Sequence, residues 1–533
     1  MKKILTFFAC TIICLSASAQ SNAVYSENSF NEPVNGWNKI IILKNGNTVY
    51  INGNASNFRV MTYDKDHKSI GNQNIPYRSA VQGGMQGTDP VLKAVYEVNN
   101  NIVILMSCNT GCGMGGYVNC VQNLYRFILD PATGKITKGD KICETAKVRS
   151  WGYNLSTMTY NDIYVTKDVV SDMYAVLVFN GYTEDMPDRV KLMTFDGNHQ
   201  LVKSVVLDAL STKDRAVHFA GMCMYDKTVY LGTNMRNAKE KGQEVPLCIS
   251  VLKEGSDAFT TTVLNIKPFA INSDCKMAYN PGTNTLDLLI TTETSKKNTG
   301  GFFSDGSEST QYLTSGIIKL DVVSMQTKHM GGIDGSLVDA YAKEKLGEKD
   351  GFNGVMPMYY LHADKSPVIV QEEQYTVTRS SYGSGVTATM VSKIGVTKLN
   401  NDSKAVSGYV LRIREISANL YRMHAPEAYY DYQYLSTPSV DYLIFNDLEE
   451  NVDKPEKAKP HALLTVSDAN TIVCKMTNGK IEKSYAWGAP QKRNDDHYAM
   501  VGVSAFDEST HTWATIVVNG EDKRARLAWL KLD

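Results

Sequence analysis

Along nearly the whole chain, short apolar runs alternate with polar corners. Eight times an apolar strand is followed by a polar turn and a second strand that closes on an Asp, Asn or Gly corner. The second strands begin FRVMTYD at Phe58, LYRFILD at Leu124, VKLMTFD at Val190, LCISVLKEG at Leu247, SGIIKLD at Ser315, VSKIGVTKLN at Val391 and TIVCKMTNG at Thr471. The eighth, ARLAWLKLD, ends the chain. Their corner residues Asp64, Asp130, Asp196, Glu254, Asp321, Asn400 and Asn478 recur at steps of 66, 66, 58, 67, 79 and 78 residues. Within each unit the apolar positions alternate with period two, as in half-buried strands. Corners such as Asp130 to Gly134 and Asn478-Gly479 suit tight turns.

Helical periodicity is convincing only in LVDAYAKEKL, Leu337–Leu346. Repeated meanders bury their faces against one another, and closing them into a ring leaves only short edges exposed. The pattern therefore predicts an all-β chain: a single β-propeller of seven or eight blades over residues 20–533, each blade a four-stranded antiparallel meander. Common blades run about 40–50 residues, so a step near 66 requires loop insertions. ETSKKNTGGFFSDGSESTQYLTSG from Glu293, RSSYGSGVTATM from Arg379 and NDLEENVDKPEKAKPHA from Asn446 supply them. No Pro/Ser-rich linker divides the pattern after Asn38, which argues against two smaller all-β domains or a pair of β-sandwiches.

The first residues break this pattern. Lys2 and Lys3 precede an apolar stretch from Ile4 to Leu15, and Ala17-Ser18-Ala19 stands before Gln20, the layout of a secretory signal peptide over residues 1–19. The stretch is shorter than the roughly twenty residues that span a bilayer. The expectation is a periplasmic or secreted protein, cleaved after Ala19, with no transmembrane segment. With 55 basic and 56 acidic residues the formal net charge is −1, which provides no long-range attraction for nucleic acid or an anionic membrane.

One motif suggests different chemistry. Gly111, Gly113 and Gly116 form G-x-G-x-x-G directly after an apolar run, with Asp130 further on. A dinucleotide loop needs a helix to open at its third glycine, so that the helix amides meet a pyrophosphate. Here the strand-like YVNCVQNLYRFILD follows, and Asp130 belongs to the repeat. The glycines instead read as a hairpin tip. Cys108 and Cys120 then stand at comparable heights on the two arms and could staple it. Cys108 with Cys112, Cys112 with Cys120 and Cys112 with Cys143 are also allowed by spacing. A three-cysteine metal site ranks behind a disulfide, because no His adjoins the cluster and an oxidising compartment disfavours free thiolates. No cofactor and no metal is expected.

Neither H-E-x-x-H, G-x-S-x-G nor a P-loop is present, and no catalytic residue is assigned. Tyr430, Tyr432 and Tyr434, in YYDYQYL, would share one face of a strand. They are the candidate ligand-facing aromatics, although inter-blade packing explains such a stripe equally well. Glu449 to Pro460 reads as a solvated loop of mixed charge. The Ala-Gln junction of the signal peptide, the repeated Asp/Asn-cornered hairpins and YLIFND, Tyr442–Asp447, resemble uncharacterised secreted β-propeller proteins of Gram-negative bacteria. That resemblance implies a fold and carries no activity. The expected role is a binding or scaffold module for a protein or a glycan. The alternative is an extracytoplasmic polysaccharide hydrolase or lyase with carboxylates converging at the propeller axis.

Overall fold

A computed structural model describes residues 23–112, 120–147, 161–181, 188–208, 215–237, 247–264, 274–296, 309–381, 384–418, 431–491 and 496–532. Its strands form eight antiparallel sheets. Blade 1 runs Trp37–Ile42, Thr48–Gly53, Phe58–Tyr63 and Ser69–Ile75, from the inner strand A to the outer strand D. Blades 2 to 7 repeat this A-B-C-D order, beginning at Thr88, Asp162, Arg215, Asp274, Val355 and Gln433. The eight second strands of the sequence repeat are the eight C strands. Blade 8 takes only A, B and C from the C-terminal segment, at His497–Asp507, Thr512–Asn519 and Arg524–Lys531. Its outer edge comes from the other end of the chain, because Ala23–Tyr25 and Phe30–Asn31 both pair with Arg524–Lys531. The ring is thus fastened by its two termini.

Packing explains why the ring closes. Among the described residues the buried apolar side chains fall into eight clusters, one at each junction between consecutive blades. The junction of blades 8 and 1 joins Tyr498, Ile516 and Trp529 to Ile40, Tyr50 and Met61. Alternate residues of one strand serve opposite neighbours. In blade 2, Ile102, Ile104 and Met106 face blade 1, while Val103 and Leu105 face blade 3. This corrects the half-buried reading of the C strands: Phe58–Tyr63 is buried on both faces, since each sheet is sandwiched between two others. Outer strands such as Ser69–Ile75 keep an exposed face.

Most recurring corners serve as turn caps between strands C and D. Asp64 Oδ1 accepts the amides of Asp66 and Lys68, and Asp196 Oδ1 those of Asn198 and Gln200, at 2.8–3.0 Å. Asp321 and Asn400 do the same in blades 5 and 6. Such Asx turns hold the corner with side-chain rather than backbone acceptors. Glu254 instead pairs with Lys227, and Asn478-Gly479 turns with φ of 50° and 73°, the backbone that a two-residue hairpin requires.

Two of the three supposed insertions differ from the loops expected. The blade 6 strands Pro367–Ser381 and Ser384–Leu399 stay paired through Ser381↔Ser384, so that segment prolongs the ladder. In blade 5 the ends of the segment pair as far as Lys296↔Ser309, and residues 297–308 lie outside the described residues. The helical segment lies where periodicity put it, at Ser336–Tyr341 with one further turn to Leu346. No helix among the described residues is long and apolar enough to cross a membrane.

Candidate functional site

The two faces of the ring differ in their connections. On one face the A–B and C–D turns span two to seven residues. On the other, the D–A connections span eight to 22 residues and the B–C connections reach 20. Short turns suit architecture, whereas long connections on a rigid frame offer variable surface.

A cleft opens on the long-connection face at the junction of blades 6 and 7. Glu372 comes from strand B of blade 6, Ile413 and Arg414 from the end of its strand D, and Val391 and Ile394 from its strand C. Asp431 and Tyr432 precede strand A of blade 7, while Phe445, Asn446 and Asp447 end its strand B. Leu463, in the B–C connection, completes the wall, and the cleft encloses about 350 Å³ out to its open mouth.

The polar groups divide into fixed and available atoms. Asn446 is saturated: its Nδ2 donates to the Ala499 carbonyl at 2.8 Å, and its Oδ1 accepts from Thr471 Oγ1 and the Ala499 amide. Asp447 is buried, and its Oδ1 accepts from the Leu448 amide and from Asn451 Nδ2 at 2.7 Å. Burial raises its pKa above the ordinary carboxylate range, with Asn451, Leu448, Lys483 and Lys454 opposing that rise. Glu372 Oε2 accepts from Gln374 Nε2 at 2.5 Å. The Tyr432 phenol is pushed well above its usual range by burial and by the charges of Glu372 and Asp431.

The sequence candidates separate here. Tyr430 lies outside the described residues. Tyr432 lines the cleft. Tyr434 is 2% exposed, donates its hydroxyl to Asp441 and packs against the Tyr360 ring at 5.3 Å, so its position is one of inter-blade packing. Glu372, Arg414, Asp431 and Asp447 escaped sequence reading because three strands and a connection bring them together with no fixed spacing. The one available signal was Glu372-Glu373 soon after the apolar run Pro367 to Val370. The mixed-charge run is more ordered than expected. Asn451 is fully buried and holds the loop through Asp447, the His461 carbonyl and the His461 amide.

The disulfide differs from the expected pair. It joins Cys112 to Cys120, with Cα atoms 4.4 Å apart, and replaces the Cys108–Cys120 staple. Strand register gives the reason: Cys108 is opposite Asn123 and Thr110 opposite Val121, so Cys120 faces the hairpin tip. Cys108 lies in the core between blades 1 and 2. Among the described residues no group of three or more His, Cys, Asp or Glu could hold a metal ion.

No family model matches the chain, and no curated protein does. Solved structures resemble it at low similarity. A prolyl endopeptidase is 8% identical with a TM-score of 0.38, covering 92% of this chain and 55% of its own. Prolyl oligopeptidase B from Galerina marginata is 7% identical with a TM-score of 0.38, covering 94% and 56%. The chain thus spans little more than half the length of these two. An α-L-arabinanase from Penicillium chrysogenum, complexed with arabinobiose, is 10% identical with a TM-score of 0.32, covering 72% and 98%. These likenesses carry no inference about activity.

Proposed function

We propose that this chain is an exported binding or scaffold protein that engages a protein or a glycan through the long-connection face of its propeller. The observation that carries this reading is the asymmetry of the connections: two to seven residues on one face, up to 22 on the other, above a frame packed at every junction. A frame of that kind loses little conformational entropy on binding, while its connections supply the recognition surface. The recurring Asp and Asn corners sit on the opposite face, where most of their acceptor atoms are spent on turn amides. A glycan array combined with capture from envelope extract tests the reading. Specific retention, lost on substitutions in the long connections and kept on substitutions in the short turns, is expected. Blank results in both assays would overturn it.

A further inference from the structure

We propose that a second copy of this chain pairs with a projecting strand edge of blade 6, joining two propellers through an antiparallel β-ribbon. Strands B and C of blade 6, Pro367–Ser381 and Ser384–Leu399, run 15 and 16 residues, whereas strand B of blades 1 and 3 has six. Strand A stops covering strand B at Val355↔Glu372, and strand D follows strand C only as far as Ala388↔Ala418. Beyond strand A, strands B and C keep eight further pairs, from Gln374↔Val391 to Ser381↔Ser384. At about 3.3 Å per residue they form an arm roughly 25 Å long on the long-connection side.

The free edge of this arm reads QYTVTRSS, Gln374 to Ser381, and pairs with no strand on its A side among the described residues. Alternate N–H and C=O groups along it point away from strand C, and such a row is a template for a further strand. The last four pairs, Thr378↔Thr387 to Ser381↔Ser384, have only two strands, a ribbon that is marginal in water until another is added.

Other edges of the molecule are guarded. The outer strands of blades 2, 3, 5 and 7 carry lysines, among them Lys138, Lys203, Lys328 and Lys480. The helix at Ser336–Tyr341 packs on the outer strand of blade 6 at Gly408, and the N-terminal segment covers blade 8. Uncharged outer strands in blades 1 and 4 do not project beyond their sheets. The shorter extension of blade 5 carries Glu293 and Lys296. The blade 6 arm has neither Pro, Lys nor an acidic residue along its edge, which is the reverse of how an edge is kept unpaired.

Symmetry argues for a second copy as the occupant. A two-fold axis normal to the ribbon makes the edge its own antiparallel partner. Side-chain alternation allows two central registers, with Val377 or Thr378 opposite its own counterpart. In the first, Gln374 meets the partner's Ser380; in the second, Tyr375 meets the partner's Ser381. Arg379, the one charge of the edge, stands opposite an uncharged residue in both, whereas a parallel in-register pairing would set it against itself.

Sedimentation equilibrium of the whole folded chain tests the proposal. The mass should rise with concentration to that of two copies and no further, because an isologous contact uses up both edges. Val377→Lys sets like charges together in either register, against its counterpart or against Arg379, and should weaken the dimer about tenfold with unchanged circular dichroism. One of the variants Val377→Cys and Thr378→Cys should link two copies on mild oxidation with diamide, while the unsubstituted chain stays unlinked. A monomer at every concentration, growth beyond two copies, a dimer indifferent to Val377→Lys, or one that neither cysteine links would each overturn the assignment. None of these readouts depends on the glycan and capture assays, so the two readings fail separately.

Discussion

Arg126 illustrates how single residues tie blades together. It sits in strand C of blade 2, 3% exposed, and grips Asp140 through Nε and Nη2 at 3.0 and 2.6 Å. Its Nη1 crosses to blade 3, donating to the Tyr174 hydroxyl and to the His199 carbonyl. Removing one member of such a set strands the others. Arg126→Met should therefore cost about 2–3 kcal/mol, read as a lower urea midpoint at unchanged slope; an unchanged midpoint would show that the brace is idle. His199 makes a pH-dependent contribution. Burial lowers its pKa below 6.5, assisted by Arg126 and Lys138 and opposed by Asp196 and Asp140. The unfolded chain therefore takes up the proton first, so stability is full above 6.5 and declines as pH falls through that value. His67 and His329 are lowered as well, chiefly by burial. Chemical denaturation at pH 7.5 and 5.5 should show a loss of stability that His199→Gln reduces; an equal loss in the variant would contradict the sign.

At the scale of elements, the N-terminal segment is the fastener. Phe30 packs into the junction of blades 8 and 1, Ser26 Oγ accepts the Leu527 amide, and Arg524 binds Ser29 and Asn31. Deleting residues 20–31 exposes the edge of Arg524–Lys531 and removes these contacts. Lower thermal stability and concentration-dependent association through the open edge are expected, read by light scattering against the full chain; a stable monomer would contradict the closure. The disulfide makes a separate prediction. Non-reducing peptide mapping should link Cys112 to Cys120, with Cys108→Ser leaving that link intact; a Cys108–Cys120 peptide would contradict the register. The repeat, the corner residues and the helix near Leu337 were legible because they follow from local periodicity and turn chemistry. The disulfide partner was not, since it depends on a pairing register that the Gly-rich tip leaves free. Nor was the ladder through Ser381↔Ser384, where Gly and Ser read as loop residues.

For the whole molecule, the sequence leads to a ring but stops short of a site. The sequence left the count at seven or eight blades and the structure has eight sheets, with the closure visible once Ala23–Tyr25 is seen beside Trp529. The cleft was invisible because Glu372, Asp431 and Asp447 are 59 and 16 positions apart and meet only through blade stacking. Tyr432 and Tyr434, two positions apart, both pack against the junction of blades 6 and 7 as alternation predicts, but Tyr434 is buried within it whereas Tyr432 reaches the cleft. A propeller that works through one face should be protected there on binding. Hydrogen exchange of the chain alone and with its captured ligand is the most direct measurement. Slowed exchange confined to the long-connection face, strongest in peptides covering Glu372, Asp431 to Tyr432 and Asp447, is the expected result. Protection centred on the short turns at Asp64, Asp196, Asp321 and Asn400 would contradict the division of the molecule into a structural face and a binding face.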